Sequence, residues 1–600
     1  MNGRFDAVTD RFRAWQGIPI AAQLAVWVLA LVCLALLAWF VRHHLVNRSV
    51  VPFWDGVSVY SYLDGTLSGH RPNLWRGEGF TFIDNEHKPV FPMFVWQADY
   101  YLFGSKGLMP MLMAYAMAAV TFALIGLKAA VRLPLAYRVM FVLAGLAIAF
   151  SPMNYSNLTW QKQLHVYMSL LFSTLALWVV CIRSGRAAQL ARPWSQALEV
   201  AAAGVLGFVA SFSFGYGMVV WPVAIAGAAM SRWRWPHLLL LATFAAGTIA
   251  LYLQLWTTNP HHDDPAKTIL HPVALYEYVC HFLMAPFTPT IRLFDPQAAW
   301  SAAMVGGTIL LVNFAWQALR EYVLNFGPGN RDARFCLSVG AFGLGVALIT
   351  ALGRVNITGL GEVSRYLVAS LMFAVAMPGM REWEVTRPQG LRKAGLAAFA
   401  IVLVIAALGS VSFFREAMRY RTLITTEGAL AAEFRLSSSV HGIFPAKDML
   451  DDHIWPSYRK LQNRFGRLLP MGWLGKSVES RLDNETICPG SMVLRPVKDM
   501  PGAYHIEGWA RFGEQGEQVP EWILVTDDRN RMVGLGQIGR WRDDVATHLR
   551  ERFPNVWFEE AARSGVVGFV RAEPGQRMRA YASHDNATCL VTLELDAPQP

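Results

Sequence analysis

The sequence predicts a polytopic α-helical membrane protein with about eleven transmembrane helices and a C-terminal β-sandwich domain. Hydrophobic residues make up 54% of the 600, and the mean hydropathy is +0.30, as in proteins with many membrane spans. Apolar segments recur as far as Phe414, and short alternating runs replace them near the C-terminus. Six cysteines in a chain of this length exclude a disulfide-dense scaffold.

The first apolar segment, residues 22–41, is long enough to cross a hydrocarbon core of about 30 Å. It follows Arg4, Arg11 and Arg13 but lacks a small-residue cleavage site, so we expect an anchor rather than a signal peptide. Ten further apolar segments follow, two of them separated by a break at Phe214. They cover residues 107–127, 136–151, 164–182, 196–213, 214–230, 236–255, 298–318, 335–352, 364–380 and 394–414.

The charges of the chain predict which ends of these spans face the cytoplasm. From Arg415 onward there are 24 Lys+Arg and 25 Asp+Glu, which leaves 29 basic and 18 acidic residues in residues 1–414. Alternate loops put 18 of those basic residues on the side of the N-terminus, which the positive-inside rule makes cytoplasmic. The positive excess therefore reflects topology and not nucleic-acid binding, and an odd number of spans puts the C-terminal region outside the cytoplasm.

The first outer loop, residues 42–106, is rich in acidic and aromatic residues. Two sets of apolar residues in it recur at helical spacing, the second after Pro89, and predict two amphipathic helices on the membrane surface. Asp55 comes shortly after the first span, where it is either an exposed helix cap or a functional carboxylate. The other charged candidates in this loop are Asp64, Asp84, Glu86, His87 and Lys88.

Several of these features together resemble the GT-C superfamily of membrane glycosyltransferases. They are an Asp just after the first span, two surface helices in the first outer loop, about eleven spans and an outer C-terminal domain. The stretches Phe53-Trp54-Asp55-Gly56 and Asp84-Asn85-Glu86-His87-Lys88-Pro89 are similar to segments of bacterial envelope members. The resemblance implies transfer of a sugar from a polyprenyl-phosphate-linked donor, outside the cytoplasm, with Asp55 as general base. It also implies a bacterial inner membrane location and an envelope glycan, lipid or protein as acceptor.

Transfer from a lipid phosphate to a hydroxyl needs a carboxylate to accept a proton and cations to hold the leaving phosphate. Glu86, Asp84 and Asp64 are further candidates for the carboxylate. Outer basic residues are scarce, so each is a candidate for the phosphate: Arg365, Lys88, Lys162 and Arg354, with His87 as an additional donor. The structural alternatives are a snorkelling Lys162 and an ion pair between Arg365 and Glu362.

The loop sequence His261-His262-Asp263-Asp264 has the composition of a metal site. Adjacent histidines on a loop flanked by prolines are more typical of solvated side chains, so we expect no metal site and no cofactor, with dependence on a divalent metal left open. Nucleic acid is not an expected partner. The expected partners are the lipid-linked donor, the acceptor and membrane lipids.

The region after Phe414 divides into a helical connector, residues 415–482, and a β-sandwich, residues 483–600. Cys488 and Cys589 are its only cysteines, and we expect them to pair in a compartment where disulfides persist. The Gly508-Trp509-Ala510 stretch resembles β-sandwich modules of other envelope glycosyltransferases. Trp509 is therefore a candidate for glycan binding, with a buried core tryptophan as the alternative.

Two other functions are compatible with this architecture. A polytopic transporter, or a flippase of a lipid-linked saccharide, would use the outer acids and Arg365 to line a pathway. It would also need ionisable residues within the spans, and these are nearly absent. A non-catalytic envelope scaffold built around the C-terminal domain would leave the acid-rich first loop unexplained.

Overall fold

The structure is a computed structural model of the chain, and it divides into two compact units that are described separately. The first holds the long helices and the second holds the C-terminal sheet. The residues that the structure describes are 20–46, 59, 63, 86–103, 107–131, 133–183, 193–254, 263–292, 294–324, 331–355, 366–380, 393–411, 474–497, 501–514, 516, 518–540, 542, 544–545, 547, 564–584 and 587–598.

Every one of the eleven apolar segments predicted from the sequence contains a helix in the structure. The α-helices are α1 (Ile20–Val46), α2 (Val90–Phe103), α3 (Leu108–Ala129), α4 (Leu135–Ala149), α5 (Tyr155–Thr159), α6 (Leu164–Trp178), α7 (Pro193–Ser211), α8 (Val220–Met230), α9 (Trp235–Leu253), α10 (Pro265–Thr268), α11 (Pro272–Met284), α12 (Thr288–Arg292), α13 (Pro296–Leu319), α14 (Arg331–Arg354), α15 (Leu367–Ala376) and α16 (Lys393–Val411).

Length and composition limit how many of these helices can cross a membrane. Within the described residues, seven are long and apolar enough, and an eighth results if the pair Leu135–Ala149 and Pro152–Thr159, bent by 46°, counts as one span. The apolar helices in Gln196–Ser211, Gly215–Met230 and Leu367–Met380 are shorter. The chain is therefore mostly helical with several long apolar helices, which suggest a membrane protein, while the predicted count of eleven spans stays a prediction.

The first helix shows the pattern expected of a helix between protein and lipid. Val26, Ala30, Cys33 and Phe40 are buried at helical spacing, so one stripe of α1 packs against the other helices. The opposite side is also apolar, with Leu31 63% exposed. An apolar surface on both sides is unfavourable in water and stable in hydrocarbon.

The helix ends predicted to be cytoplasmic meet on one side of the helical unit. The ammonium of Lys128, in the last turn of α3, lies 3.0 Å from the carboxylate of Asp332 at the start of α14. Arg334, 2% exposed, pairs with Glu321 over 3.3 Å and donates to the carbonyl of Met230 over 3.1 Å. These contacts join the ends of α3, α8, α13 and α14, which agrees with the alternation of loops inferred from the charges.

The segment after Pro89 forms the predicted helix, α2. Most of its side chains from Val90 to Tyr100 are buried, whereas Tyr101 to Phe103 are exposed. Most of this helix therefore packs within the protein, and its position relative to a membrane surface stays a prediction. Of the earlier predicted helix, the structure describes Val59 and Leu63, which are helical and buried.

The C-terminal unit contains an antiparallel sheet, as predicted. Its strands are β1 (Gly490–Pro496), β2 (Ala503–Ala510), β3 (Trp522–Thr526), β4 (Met532–Arg540), β5 (Gly565–Arg571), β6 (Arg577–His584) and β7 (Ala587–Asp596). These described strands form one hydrogen-bonded sheet in the order β1-β2-β5-β4-β3-β6-β7, and not the two separately bonded sheets of a sandwich. Residues 415–473 of the predicted helical connector lie outside the described residues.

The two edge strands of the sheet approach each other. Cys488, just before β1, forms the predicted disulfide with Cys589 of β7, with their Cα atoms 5.7 Å apart. A Cβ on Gly490 of β1 would lie 2.4 Å from a methyl group of Val591 in β7. The sheet therefore curls until its edges meet. The side chains of Ile523 and Val525 lie on one face of the sheet and belong to one apolar core. The side chain of Leu524 lies on the other face and belongs to a second apolar core.

Candidate functional site

A cavity of about 670 Å³ lies within the helical unit, a size typical of small-molecule sites. It opens among helix ends that the charge pattern assigns to the outer side, namely the ends of α9 and α14. The lining residues are Glu86, His87, Phe214, Gly215, Tyr216, Met218, Tyr252, Leu253, Asp263, Asp264, Pro265, Ile349, Thr350, Gly353, Arg354 and Tyr366. Aromatic side chains thus face several charged groups across one cavity.

Glu86 and His87 reach the cavity from the short segment before α2. Glu86 has a φ of 71°, in the left-handed region that favours glycine, and its carbonyl oxygen accepts a hydrogen bond from the Tyr252 hydroxyl at 3.3 Å. The ring centre of His87 lies 4.0 Å from that of Phe214. A Cβ on Gly215 would lie 2.9 Å from His87 Nδ1, so the glycine leaves room for the imidazole.

Lys88 follows these two residues but turns away from the cavity. Its side chain is almost inaccessible, and the residue is 1% exposed. The ammonium donates to the carbonyl oxygen of Gln254 over 2.5 Å and to that of Leu251 over 3.3 Å, at the C-terminal end of α9. Burial lowers the pKa of Lys88, because desolvation disfavours its charged form.

The turn between α7 and α8 supplies the aromatic wall of the cavity. Phe214 has an extended backbone, and its ring centre also lies 4.5 Å from that of His165. A Cβ on Gly217 would lie 2.2 Å from the backbone of Ala210, so this turn is packed directly against the end of α7. From the sequence alone, only a break between two apolar segments is predicted at Phe214. The signal for a site was the stretch Phe214-Gly215-Tyr216-Gly217, where glycines alternate with aromatic residues between two apolar segments.

Arg354 is the last residue of α14 and faces the cavity. Its guanidinium carbon lies 5.7 Å from the ring centre of Tyr366, which precedes α15. A guanidinium over an aromatic ring is held by cation–π attraction and keeps its planar set of donors. The side chain is therefore positioned to bind a phosphate or carboxylate.

Asp263 and Asp264, just before α10, also line the cavity. The Asp263 N–H donates to the carbonyl of Gly353 over 3.1 Å, which ties this segment to the end of α14. The Asp264 carboxylate accepts a hydrogen bond from the Ala266 N–H over 3.0 Å and caps α10. Within the part of the chain that the structure describes, no three His, Cys, Asp or Glu side chains form a group that could hold a metal ion. His261 and His262 lie outside the described residues.

The predicted site residues have different places in the structure. Glu86 and His87 line the same cavity as Arg354, which is distant from them in sequence. Lys162 is 4% exposed and is not among the lining residues; its carbonyl is hydrogen-bonded to the ring of His165. Trp509 is half-buried in β2, opposite Ser491 and Gly565. The remaining candidates lie outside the described residues: Asp55, Asp64, Asp84 and Arg365.

The cavity combines proton acceptors, an anion-binding side chain and an apolar wall. Carboxylates such as Glu86 can accept a proton from a hydroxyl, whereas Arg354 can hold the oxygens of a phosphate. Phe214, Tyr216 and Tyr252 give the cavity an apolar wall beside these charged groups. No family model, curated protein or solved structure matches this chain.

Proposed function

We propose that this chain is a membrane glycosyltransferase of the GT-C type. It transfers a sugar from a polyprenyl-phosphate-linked donor to an envelope glycan, lipid or protein. The observation that carries the proposal is the cavity that brings Glu86, His87 and Arg354 together at outer helix ends. A lipid-linked substrate needs such a place, because its phosphate lies at the membrane boundary while its chain stays in hydrocarbon.

The cavity residues fit the charges that this reaction develops. The acceptor hydroxyl oxygen attacks the anomeric carbon of the sugar, and the bond from that carbon to the phosphate oxygen breaks. The electron pair leaves with polyprenyl phosphate, and the hydroxyl proton passes to a carboxylate. Arg354 and His87 stabilise the departing phosphate, because their N–H donors offset its growing negative charge.

Two carboxylates are candidates to accept the hydroxyl proton, and a different argument supports each of them. Asp55 is the base that the resemblance to the superfamily implies. Glu86 is a carboxylate that lines the cavity. We assign the role of base to Asp55 and a role in orienting the acceptor or His87 to Glu86, and substitution of each acid tests this assignment.

We also propose a bacterial inner membrane location, with the N-terminus in the cytoplasm and the sheet unit in the periplasm. The excess of basic residues in alternate loops supports this orientation. The Cys488–Cys589 disulfide supports an oxidising compartment for the sheet. A C-terminal reporter that is active only in the periplasm should be active, and activity of a cytoplasmic reporter instead would contradict the orientation.

The decisive experiment uses the purified full chain in detergent or vesicles with a panel of polyprenyl-phosphate sugars and envelope acceptors. Release of polyprenyl phosphate together with a glycosylated acceptor is the expected result. Asp55→Asn is expected to release far less polyprenyl phosphate than wild type. Movement of an intact lipid-linked saccharide across vesicles, without release from any donor, would instead identify the chain as a flippase.

A further inference from the structure

The segment that presents Glu86 and His87 is attached to the C-terminal end of α9 by two side chains. Lys88 donates to two carbonyl oxygens there, at 2.5 Å on Gln254 and 3.3 Å on Leu251. Tyr252 lies in the same helical turn, and its hydroxyl donates to the carbonyl oxygen of Glu86 over 3.3 Å. One turn of α9 therefore holds both ends of the Glu86–Lys88 segment.

The carbonyls that Lys88 binds suit a cation. The last carbonyl groups of a helix lack partners within the helix, and the helix dipole makes this end negative. A buried ammonium is costly unless it is hydrogen-bonded, and these two carbonyls accept bonds from two of its three N–H donors. Hydrogen bonds to charged groups are also about twice as strong as those between neutral groups. The attachment is therefore stronger than an ordinary loop contact.

The backbone of the segment also has a conformation that is unusual for its residue types. Glu86 has a φ of 71°, which side chains other than glycine, asparagine and aspartate rarely adopt. The imidazole of His87 lies so close to Gly215 that a Cβ on Gly215 would be 2.9 Å from its Nδ1. Both features place the Glu86 and His87 side chains at the cavity, and both depend on the segment staying in place.

We propose that Lys88 is a positioning residue that holds Glu86 and His87 at the cavity, and that it does not bind the donor phosphate. The inference rests on the proposed function for its kinetic consequences, but the attachment itself can be tested without turnover. Burial of the ammonium supports this role, since a phosphate ligand must face the cavity. Arg354, which does line the cavity, is the better phosphate ligand.

The kinetic test compares Lys88→Met, Lys88→Arg and, as a matched control, Lys267→Met on the exposed surface of α10. Lys88→Met should lower kcat by about 10²-fold, because small misplacements of reacting groups cost that much, and should change the donor KM by much less. Lys88→Arg should recover part of kcat, since it keeps a charged donor. Lys267→Met should behave as wild type. A raised donor KM at unchanged kcat would make Lys88 a phosphate ligand and overturn the proposal.

A second test measures the position of the segment without any reaction. Glu86→Cys introduces a thiol at the cavity, and the four free cysteines in the described residues are buried, so a maleimide should label mainly the new thiol. Adding Lys88→Met should speed this labelling, whereas adding Lys267→Met should not. Equal labelling rates in all three proteins would overturn the proposal.

These two tests separate the inference from the proposed function. If the wild-type chain transfers no sugar from any donor, the proposed function fails, and the labelling rates still decide whether Lys88 holds the segment. If Lys88→Met does not accumulate in the membrane, Lys88→Gln replaces it, because glutamine keeps a polar side chain but is uncharged and too short to hold both carbonyls. Faster labelling in the Glu86→Cys background supports the attachment, and unchanged labelling contradicts it.

Discussion

The guanidinium of Arg354 lies over the ring of Tyr366, 5.7 Å from its centre, and both side chains line the cavity. Arg354 ends α14 and Tyr366 precedes α15, so this contact joins two helices across the loop between them. A guanidinium at this distance from an aromatic ring is held by cation–π attraction. This relationship gives the cavity a fixed positive group.

Loss of Arg354 should weaken binding of polyprenyl phosphate. Arg354→Ala removes charged hydrogen bonds worth about 1.5–3 kcal/mol, which is roughly 10- to 100-fold in Kd. Arg354→Lys should restore only part of the affinity, because the planar fork and the ring contact are lost. Equilibrium binding of the labelled lipid measures both. Arg495→Ala in the sheet unit, which removes an exposed pair with Glu507, is the control. Equal affinity in all three variants would remove Arg354 from the donor site.

The identity of the base can be tested with isosteric changes. Asp55→Asn keeps the shape and any capping oxygen but cannot accept a proton, so turnover should fall by about 10²–10⁴-fold while lipid binding stays near wild type. A helix cap is nearly indifferent to Asp or Asn, so the same change separates a cap from a base.

Glu86→Gln and Asp64→Asn are the comparisons for Asp55→Asn. We expect a smaller loss of turnover for Glu86→Gln, because its proposed role is orientation. Full activity in Asp55→Asn with a severe loss in Glu86→Gln would move the base to the cavity-lining acid. Full activity in all three variants would mean that none of Asp55, Asp64 and Glu86 is the catalytic carboxylate.

The space around His87 should not tolerate a methyl group on Gly215. In Gly215→Ala the new Cβ would lie 2.9 Å from His87 Nδ1, so the imidazole must shift. Overpacking of this kind costs about 1–3 kcal/mol of stability, and turnover should fall with it. Gly247→Ala in α9 is the matched control, because nothing lies within 4 Å of its added Cβ. Thermal unfolding and turnover are measured together. Similar values for the two variants would show that the His87 position is not constrained.

The disulfide should stabilise the sheet unit by closing its two edges. Cys488→Ser opens a loop of 101 residues and should cost about 2–5 kcal/mol in the unfolding free energy of this unit. Cys589→Ser should have the same effect, since either change removes the same bond. Both variants should migrate more slowly than wild type on a non-reducing gel. Wild type that migrates alike with and without reductant would contradict the bridge.

The sequence by itself was enough to predict a helix in each of the eleven apolar segments of residues 1–414, but α11 (Pro272–Met284), which lies in a predicted loop, was not predicted. Each apolar segment is a local run of residues, and its length and hydropathy do not depend on distant contacts. The helix after Pro89 and the antiparallel strands were predicted for the same reason, from short-range periodicity. The Cys488–Cys589 pair was predictable because the region holds only two cysteines.

Only the tertiary structure decided which outer polar residues share a cavity. Glu86, Asp263 and Arg354 lie far apart in sequence, and nothing local to any of them indicates that they line the same cavity. The neighbours of Lys88 could not be predicted either. Its charge alone made it a candidate for binding the phosphate, but its ammonium is hydrogen-bonded to carbonyls at the end of α9. Long-range packing determines these neighbours, because hydrophobic burial of whole helices fixes their ends in space, and the polar side chains at those ends follow.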